Sequence, residues 1–393
     1  MKIGIIGAGA SGLLSAILLS QKGFSVDVFE QNSKIGKKLL ASGNGRCNIS
    51  NQNISADNYI TQDKKFIQDI ISKFGFAEFQ ELAKELSLFL KIQADGKIYP
   101  LSNEAKSVVA LFESLAFKDG VSIFLDTFIE KVQKLENGKF EIFVNSKKYE
   151  YDILVVATGS NSAPNLGGNL SGYEIAKSFG HQISPLYPSL AQLQIDKPKH
   201  SLIGVKIYSE IKTFVNNRLR NKIKGDILFT KYGVSGFGIL DSSQIISKLL
   251  LEKQQIEIEI DFLPTVQIDE LEKMIDSSNR LISLLPTKLI NHILNELNIG
   301  VFNPKNIKKL AYKLKNYRLK ISDTNGFKSS EISGGGVATQ FINSKTMESQ
   351  LVKNLYFTGE ILDVIGERGG YNLHFAWATA YLVSGSIPKL DNL

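Results

Sequence analysis

The stretch "KIGIIGAGASGLLSAILLSQKGFSVDVFE" (Lys2–Glu30) decides the fold. Ile3, Ile5 and Ile6 make a short apolar strand, Leu13–Leu19 continue as a helix, and Val26, Val28 and Phe29 form a second strand that ends in Glu30. Gly7, Gly9 and Gly12 supply a G-x-G-x-x-G turn between strand and helix. Gly7 permits the turn, Gly9 lets a pyrophosphate approach the backbone, and Gly12 lets helix and strand pack closely. The helix start at Ala10 and Ser11 offers N–H groups and a positive dipole end to phosphates. Glu30, followed by Gln31, stands where a carboxylate accepts hydrogen bonds from ribose hydroxyls. An acid there suits an unphosphorylated ribose, so the spacing predicts FAD or NAD rather than NADP.

Three further stretches select FAD. "YDILVVATGS" (Tyr151–Ser160) is a buried strand ending in a turn at Ala157, Thr158 and Gly159, at the carboxyl edge of a parallel sheet where nucleotides sit. "NLYFTGEILDV" (Asn354–Val364) is another short strand, followed by Gly359, Glu360 and Asp363, the last directed at a ribityl chain. "GERGGYNLHFAWATAYLV" (Gly366–Val383) is a glycine-rich turn entering a helix. The N–H groups around Gly370, Tyr371, Asn372 and Leu373 would face the flavin edge that becomes negative on reduction. An NAD enzyme needs no such return of the C-terminus to the first sheet.

The chain has 393 residues, 43% hydrophobic and 22% charged, as in an ordinary globular protein of two or three domains. Its one cysteine, Cys47, excludes a disulfide framework, a cysteine-built zinc site and a dithiol relay. No apolar run approaches the roughly 18 residues of a membrane span. With no signal-peptide pattern either, a cytoplasmic protein with no membrane partner is expected. Formal net charge is +7. Residues 191–324 hold 21 Lys and Arg against 14 Asp and Glu, while the remainder is balanced, so the whole excess lies in one internal segment. Its densest part is "KNIKKLAYKLKNYRLK" (Lys305–Lys320), with Lys305, Lys308, Lys309, Lys313, Lys315, Arg318 and Lys320, no acid, and Tyr312 and Tyr317 interleaved. With "NNRLRNKIK" (Asn216–Lys224) this is the footprint expected for RNA, the tyrosines stacking on unpaired bases. A solvated charged helix face is the other reading.

"KIGKKLLASGNGRCNISN" (Lys34–Asn51), "KIYPLSNEAKSVV" (Lys97–Val109), "LGGNLSGYEIAKSFGHQISPLYPSL" (Leu166–Leu190), "LFTKYGVSGFGIL" (Leu228–Leu240) and "SGGGVATQFINSKTMESQLVKNLYFTGEILDVIGERGGYNLHFAWATA" (Ser333–Ala380) resemble, together, the YhiN/BaiN-type family of bacterial FAD-dependent oxidoreductases, also called aminoacetone-oxidase-like. The resemblance spans nearly the whole chain. Lys231 stands where the family usually has histidine, Phe237-Gly238 where Pro-Ala is usual, and His374 where glutamine is common. The resemblance implies that Lys37–Asn48, with Lys38, Leu39, Gly43, Gly45, Arg46 and Asn48, wraps the flavin. Gly43 and Gly45 allow positive φ and close approach, and the cations supply charge for the pyrophosphate or the flavin edge. Cys47, beside Arg46, is either a proton donor opposite the flavin or an inert thiol packed beneath the loop. His374 and Tyr371 are the other candidates for catalysis, with a structural role the alternative for His374. No His, Asp or Glu spacing suggests a metal.

The nucleotide-binding pieces come from both ends, which predicts an α/β fold. It is a split Rossmann-like FAD domain of residues 1–190 and 325–393, interrupted by an inserted substrate domain of 191–324. The insert reads as β-rich and barrel-like over 191–265 and helical over 266–317. Ile129, in the first strand of "TFIEKVQKLENGKFEIFV", is placed against the adenine. The expected chemistry is hydride transfer through FAD, led by reduction of an activated C=C bond. The resemblance extends this to a ribosomal RNA uridine, with the proton supplied by a group such as Cys47. Aminoacetone-type amine oxidation with O2, or a non-catalytic flavin scaffold, are the alternatives. No second G-x-G-x-x-G exists, so NADH or NADPH would bind only transiently as reductant.

Overall fold

The computed structural model describes residues 1–275 and 278–389. They divide into two compact units, Met1–Leu186 with Ile332–Leu393, and Tyr187–Glu331.

The first unit is built on β1 (Lys2–Ile6), α1 (Ala10–Ser20) and β2 (Ser25–Phe29). β1 lies inside a five-stranded sheet in the order Leu355–Phe357, Ile153–Val156, β1, β2, Ser122–Phe124. Every pairing is parallel, with Ile5 opposite Val155 and Val28. The strand Ile153–Val156 is buried throughout, because a parallel sheet covered on both faces demands apolar residues without alternation. Its neighbour Leu355–Phe357 comes from the far end of the chain, so both termini build one sheet. Three antiparallel strands, Lys131–Lys134, Phe140–Val144 and Lys147–Tyr151, precede the return to it. Ile129 is buried but lies in the irregular segment before these strands, not within the first as expected. The turn from the first sheet occupies that stretch, with Thr127 N donating to Glu30 O at 2.8 Å.

The second unit is a closed antiparallel barrel of six strands: Leu193–Ile195, Gly233–Ser235, Arg218–Phe229, Lys206–Val215, Ile256–Asp261 and Tyr317–Thr324. Inside and outside alternate most clearly in the last strand. In Tyr317–Thr324, Tyr317, Leu319 and Ile321 point inward while Arg318 and Lys320 face water. Four helices lie between Ile268 and Lys315. One element departs from the β-rich reading of 191–265: Phe237–Leu251 is a 15-residue helix. Its buried face is mostly Gly238, Ser242, Ser243 and Ser247, with Ile239 and Ile246. Small residues are required because Gly238 meets Gly225 of the barrel so closely that a Cβ on Gly225 would lie 2.8 Å from the Gly238 backbone. A serine-lined face carries little apolar periodicity, which is why the sequence pattern did not announce it. The architecture is otherwise the expected one, a Rossmann-type fold with an inserted barrel.

Candidate active site

Three turns meet at the carboxyl edge of the parallel sheet. Gly7 N donates to Phe29 O at 2.8 Å, Ala157 N to Ile6 O at 2.9 Å and Thr358 N to Val156 O at 3.1 Å, each prolonging the sheet by one bond. The glycines of the first turn differ in what surrounds them. A Cβ on Gly7, at φ +105°, would meet Ala157 O at 2.5 Å, and one on Gly12 would meet Gly7 O at 1.9 Å. A Cβ on Gly9 would meet nothing within 4 Å. Two of the glycines are thus required by the backbone, and the third faces open space. α1 begins there with no acid in its first turn and no side-chain cap, so its N–H groups stay available to an anion.

Glu30 is buried at the end of β2, and its carboxylate is already in use. Oε2 accepts from Ala8 N at 2.9 Å, while Oε1 accepts from Asn32 N at 2.8 Å and Asn32 Nδ2 at 2.6 Å. A carboxylate has about four acceptor positions, so one remains for a ribose hydroxyl. Gln31 holds the segment Gly167–Asn169 through Gly167 O and Asn169 Nδ2. Thr158 Oγ1 and Thr358 Oγ1 are buried with no partner among the described residues, and Gly159, at φ +71°, opens on empty space.

The cations of the Lys37–Asn48 segment do not converge as the sequence suggested. Lys37 Nζ bonds Asn32 Oδ1 at 2.9 Å. Lys38 Nζ pairs with Glu360 Oε2 at 2.8 Å and takes Ser162 Oγ at 2.7 Å. Glu360 Oε1 also accepts from Ser160 Oγ at 2.7 Å, Ser162 Oγ at 3.1 Å and Ser333 N at 3.1 Å. One carboxylate therefore ties together segments up to 322 residues apart. Sequence reasoning missed Ser160, Ser162 and Ser333, because no local pattern reports a contact of that span. Arg46 is exposed, with its guanidinium 5.1 Å from the Tyr99 ring centroid and Nε directed at Gly43 O. Leu39 lies in the core.

Gly43 and Gly45 adopt positive φ as expected, and so do Asn44 and Cys47, at 56° and 59°. That turn drives the thiol inward. Cys47 has 0% exposure, and burial pushes its pKa up to about 12, against a smaller lowering by Ser42. The thiol is a packed, protonated group with almost no thiolate at neutral pH. An aromatic disulfide reagent is therefore expected to leave the native protein unlabelled over hours and to modify one thiol per chain at once in denaturant. Rapid labelling of the native protein contradicts the packing.

The helix Tyr371–Ser386 begins beside this loop. Gly370 has φ +102°, and a Cβ there would lie 2.1 Å from Ser50 O. With its amide oriented by its surroundings, Asn48 accepts from Gly370 N at 3.3 Å and donates to Ser50 O and Ile98 O. Asn51 Nδ2 donates to Gly369 O at 2.9 Å, and Tyr59 OH to Tyr371 O at 3.1 Å. Asn372 closes its own loop by bonding Gly366 N and O, both at 2.8 Å, so its side chain is committed there. Leu373 packs against the core. Thr61 Oγ1 donates to Asp363 O at 3.2 Å. The helix start has no acid and no side-chain cap. Tyr371 is largely buried, and burial, with Glu367 nearby, holds its phenol above the usual range. His374 is completely buried between Ser50 Oγ at 2.9 Å and Phe74 O at 3.1 Å.

Three of the seven basic residues in the charged segment of the second unit are paired within the fold, and one of its two tyrosines is buried. Tyr317 has 0% exposure and bonds His292 Nε2 through its hydroxyl at 2.9 Å, so it cannot stack on a base. Strand alternation turns it inward. Lys313 pairs with Glu296, Lys315 with Asp261, and Arg318 with Glu259 and Glu257. Lys305, Lys308, Lys309, Tyr312 and Lys320 remain exposed.

The uncapped start of α1, an open glycine turn and unpartnered buried hydroxyls at the sheet edge fit FAD, as does the uncapped start of the helix Tyr371–Ser386. The HI0933-like protein Rossmann domain matches residues 1–386. The chain belongs to this HI0933-like family. The chain is 35% identical to the 3-dehydro-bile acid delta(4,6)-reductase of Clostridium scindens, over 97% of both chains. It is 32% identical to a ribosomal RNA dihydrouridine synthase of Haemophilus influenzae, over 98% of both. In fold it resembles the 3-ketosteroid-delta4-(5alpha)-dehydrogenase of Rhodococcus jostii, with TM-score 0.51 and 14% identity, covering 98% of this chain and 96% of that one. It is an FAD-dependent oxidoreductase. Among the described residues no helix is long and apolar enough to cross a membrane, and no group of acids, histidines and cysteine could hold a metal.

Proposed function

We propose that this oxidoreductase saturates a carbon–carbon double bond conjugated to a carbonyl. The observation that carries the reading is that two relatives matched end to end, at 35% and 32% identity, both bear names for such a saturation. One acts on a bile acid with an oxo group, the other on uridine. FAD, when bound and reduced by NADH or NADPH, would supply the hydride for the β-carbon and return to its oxidised form.

The chain's own residues hold and orient. The turn Gly7–Gly12 with the α1 start takes the pyrophosphate, and Glu30 takes one ribose hydroxyl. Thr158, Gly159, Gly359, Glu360 and Asp363 line the ribityl side, and Gly370–Tyr371 present N–H groups to the flavin edge. The proton for the α-carbon is assigned to the Tyr371 phenol, because of the three candidate donors only Tyr371 keeps some exposure while Cys47 and His374 are fully enclosed. Cys47 and His374 support that region from within the core and exchange no proton with substrate.

The test is anaerobic incubation of FAD-loaded protein, NADPH and a small cyclic enone, read by mass spectrometry. The expected product is heavier by two hydrogens. No gain with any enone or uridine-containing RNA, alongside peroxide from a small amine and air, would replace this reading with the oxidase. Gain on uridine alone would make RNA the substrate, which the name of the Haemophilus influenzae relative favours.

A further inference from the structure

Resting on that reading, we infer that the sheet face carrying Arg46, Lys91, Phe89 and Leu101 binds the carboxylate-bearing end of an amphipathic enone. The strands Leu90–Ile92 and Lys97–Pro100 pair antiparallel, with Lys91 opposite Tyr99. Leu101 N donates to Phe89 O at 2.7 Å, which adds one rung to the ladder. Opposed residues share a face and alternate with the next pair, so Phe89, Lys91, Tyr99 and Leu101 lie on one side.

That side is unlike an ordinary solvated strand. Phe89 and Leu101 are 72% and 62% exposed, two large apolar side chains adjacent in water. Lys91 is exposed beside them. Tyr99 is buried on the same side, since the Arg46 guanidinium lies over its ring. Arg46 Nε points at Gly43 O over 3.4 Å, the one hydrogen bond of its side chain among the described residues. Stacking on a ring holds the planar guanidinium in place and leaves its remaining donors for a carboxylate, which such a fork meets in two parallel bonds. Lys97, on the same side by alternation, is occupied by Asp95 at 2.5 Å.

Tyr99 and Arg46 connect this face to the loop that meets the start of the helix Tyr371–Ser386. Arg46 sits in the loop whose Asn48 accepts from Gly370 N, and a Cβ on Gly43 would touch the Tyr99 ring at 3.5 Å. An occupant with an apolar body and one anionic end matches two cations set against two apolar side chains. With Lys97 committed to Asp95, the face offers a nucleic acid backbone only two unpaired cations, Arg46 and Lys91, among the described residues.

The experiment compares a steroidal 4-en-3-one carboxylic acid with its methyl ester on FAD-loaded full-length protein. Binding is read as the perturbation of flavin absorbance and turnover as saturated product. The acid is expected to bind about tenfold more tightly than the ester, a difference of about 1.4 kcal/mol. Arg46→Gln removes that preference, Arg46→Lys keeps most of it, and Lys91→Gln lowers it about two- to threefold. Phe89→Ser weakens acid and ester alike. The ratio is internal to each variant, so altered flavin loading does not distort it. Equal binding of acid and ester, a preference that survives Arg46→Gln, or an RNA fragment whose binding Arg46→Gln weakens while the ratio stays fixed would each overturn the subsite. A preference that behaves as stated with no saturation of either compound would instead sink the C=C reading and leave the subsite standing.

Discussion

Gly12→Ala should yield a protein that retains no FAD. The added Cβ would sit 1.9 Å from Gly7 O and 3.2 Å from Ala157 Cβ. The first neighbour is backbone within the phosphate turn itself, so relief requires moving the turn or the helix behind it. FAD affinity is expected to fall at least hundredfold, about 2.7 kcal/mol, and the melting temperature of the apoprotein should fall as well, since overpacking at a backbone contact is destabilising by about 1–3 kcal/mol or more. Gly9→Ala is the control that separates ligand contact from fold. Its Cβ meets nothing within 4 Å, so the apoprotein should melt as the wild type does while binding FAD more weakly. Calorimetric melting and equilibrium dialysis against FAD check both. Wild-type FAD content in Gly12→Ala would mean that this turn does not hold the nucleotide.

The second large effect is acid lability through His374. Phe74 O can only accept, so Nε2 carries the ring proton, and Nδ1 accepts from the Ser50 hydroxyl. The ring is neutral, and burial pushes its pKa down to about 4, against smaller raising effects of the Phe74 carbonyl and Glu78. In the unfolded chain a histidine titrates near about 6.5. As pH falls, the unfolded state therefore takes up this proton first. The stability due to the neutral ring is complete above about pH 6.5 and is lost on the way down to about 4, at up to about 1.4 kcal/mol per pH unit. His374→Gln should flatten the curve, because an amide can accept from Ser50 and donate to Phe74 O without titrating. Melting temperatures from pH 7.5 to about 4.5 decide it. Parallel curves for the two proteins would show that the ring does not stay neutral in the fold.

How far the residues announced the structure follows from the distance over which each constraint acts. The turn at Gly7–Gly12 was legible because strand, turn, helix and closing acid fall within thirty consecutive residues, each with its own steric reason. The two-ended sheet was legible because Ile153–Val156 read as a buried strand and Leu355–Phe357 as a short one, each followed by a glycine turn. The clamp of Lys38 on Glu360 was not, since the two are 322 positions apart and each looked like a ligand for the cofactor. Cys47 stayed open between proton donor and packed thiol for a local reason. Its neighbours Arg46 and Asn48 are polar, but a positive φ at the cysteine itself turns the side chain into the core. Tyr317 misled because the charged run crosses from helix Pro304–Lys315 into a barrel strand. The side-chain period changes from 3.6 to 2 there, and the tyrosine passes from the outer face to the inner one.

The most direct test of the account is reconstitution. Apoprotein stripped of any cofactor and titrated with FAD under gentle conditions is expected to bind one FAD per chain and to turn yellow with quenched flavin fluorescence. NADPH without oxygen should then bleach it, and an added enone should restore the colour. A protein that stays colourless and melts at the same temperature with and without excess FAD would contradict the central claim.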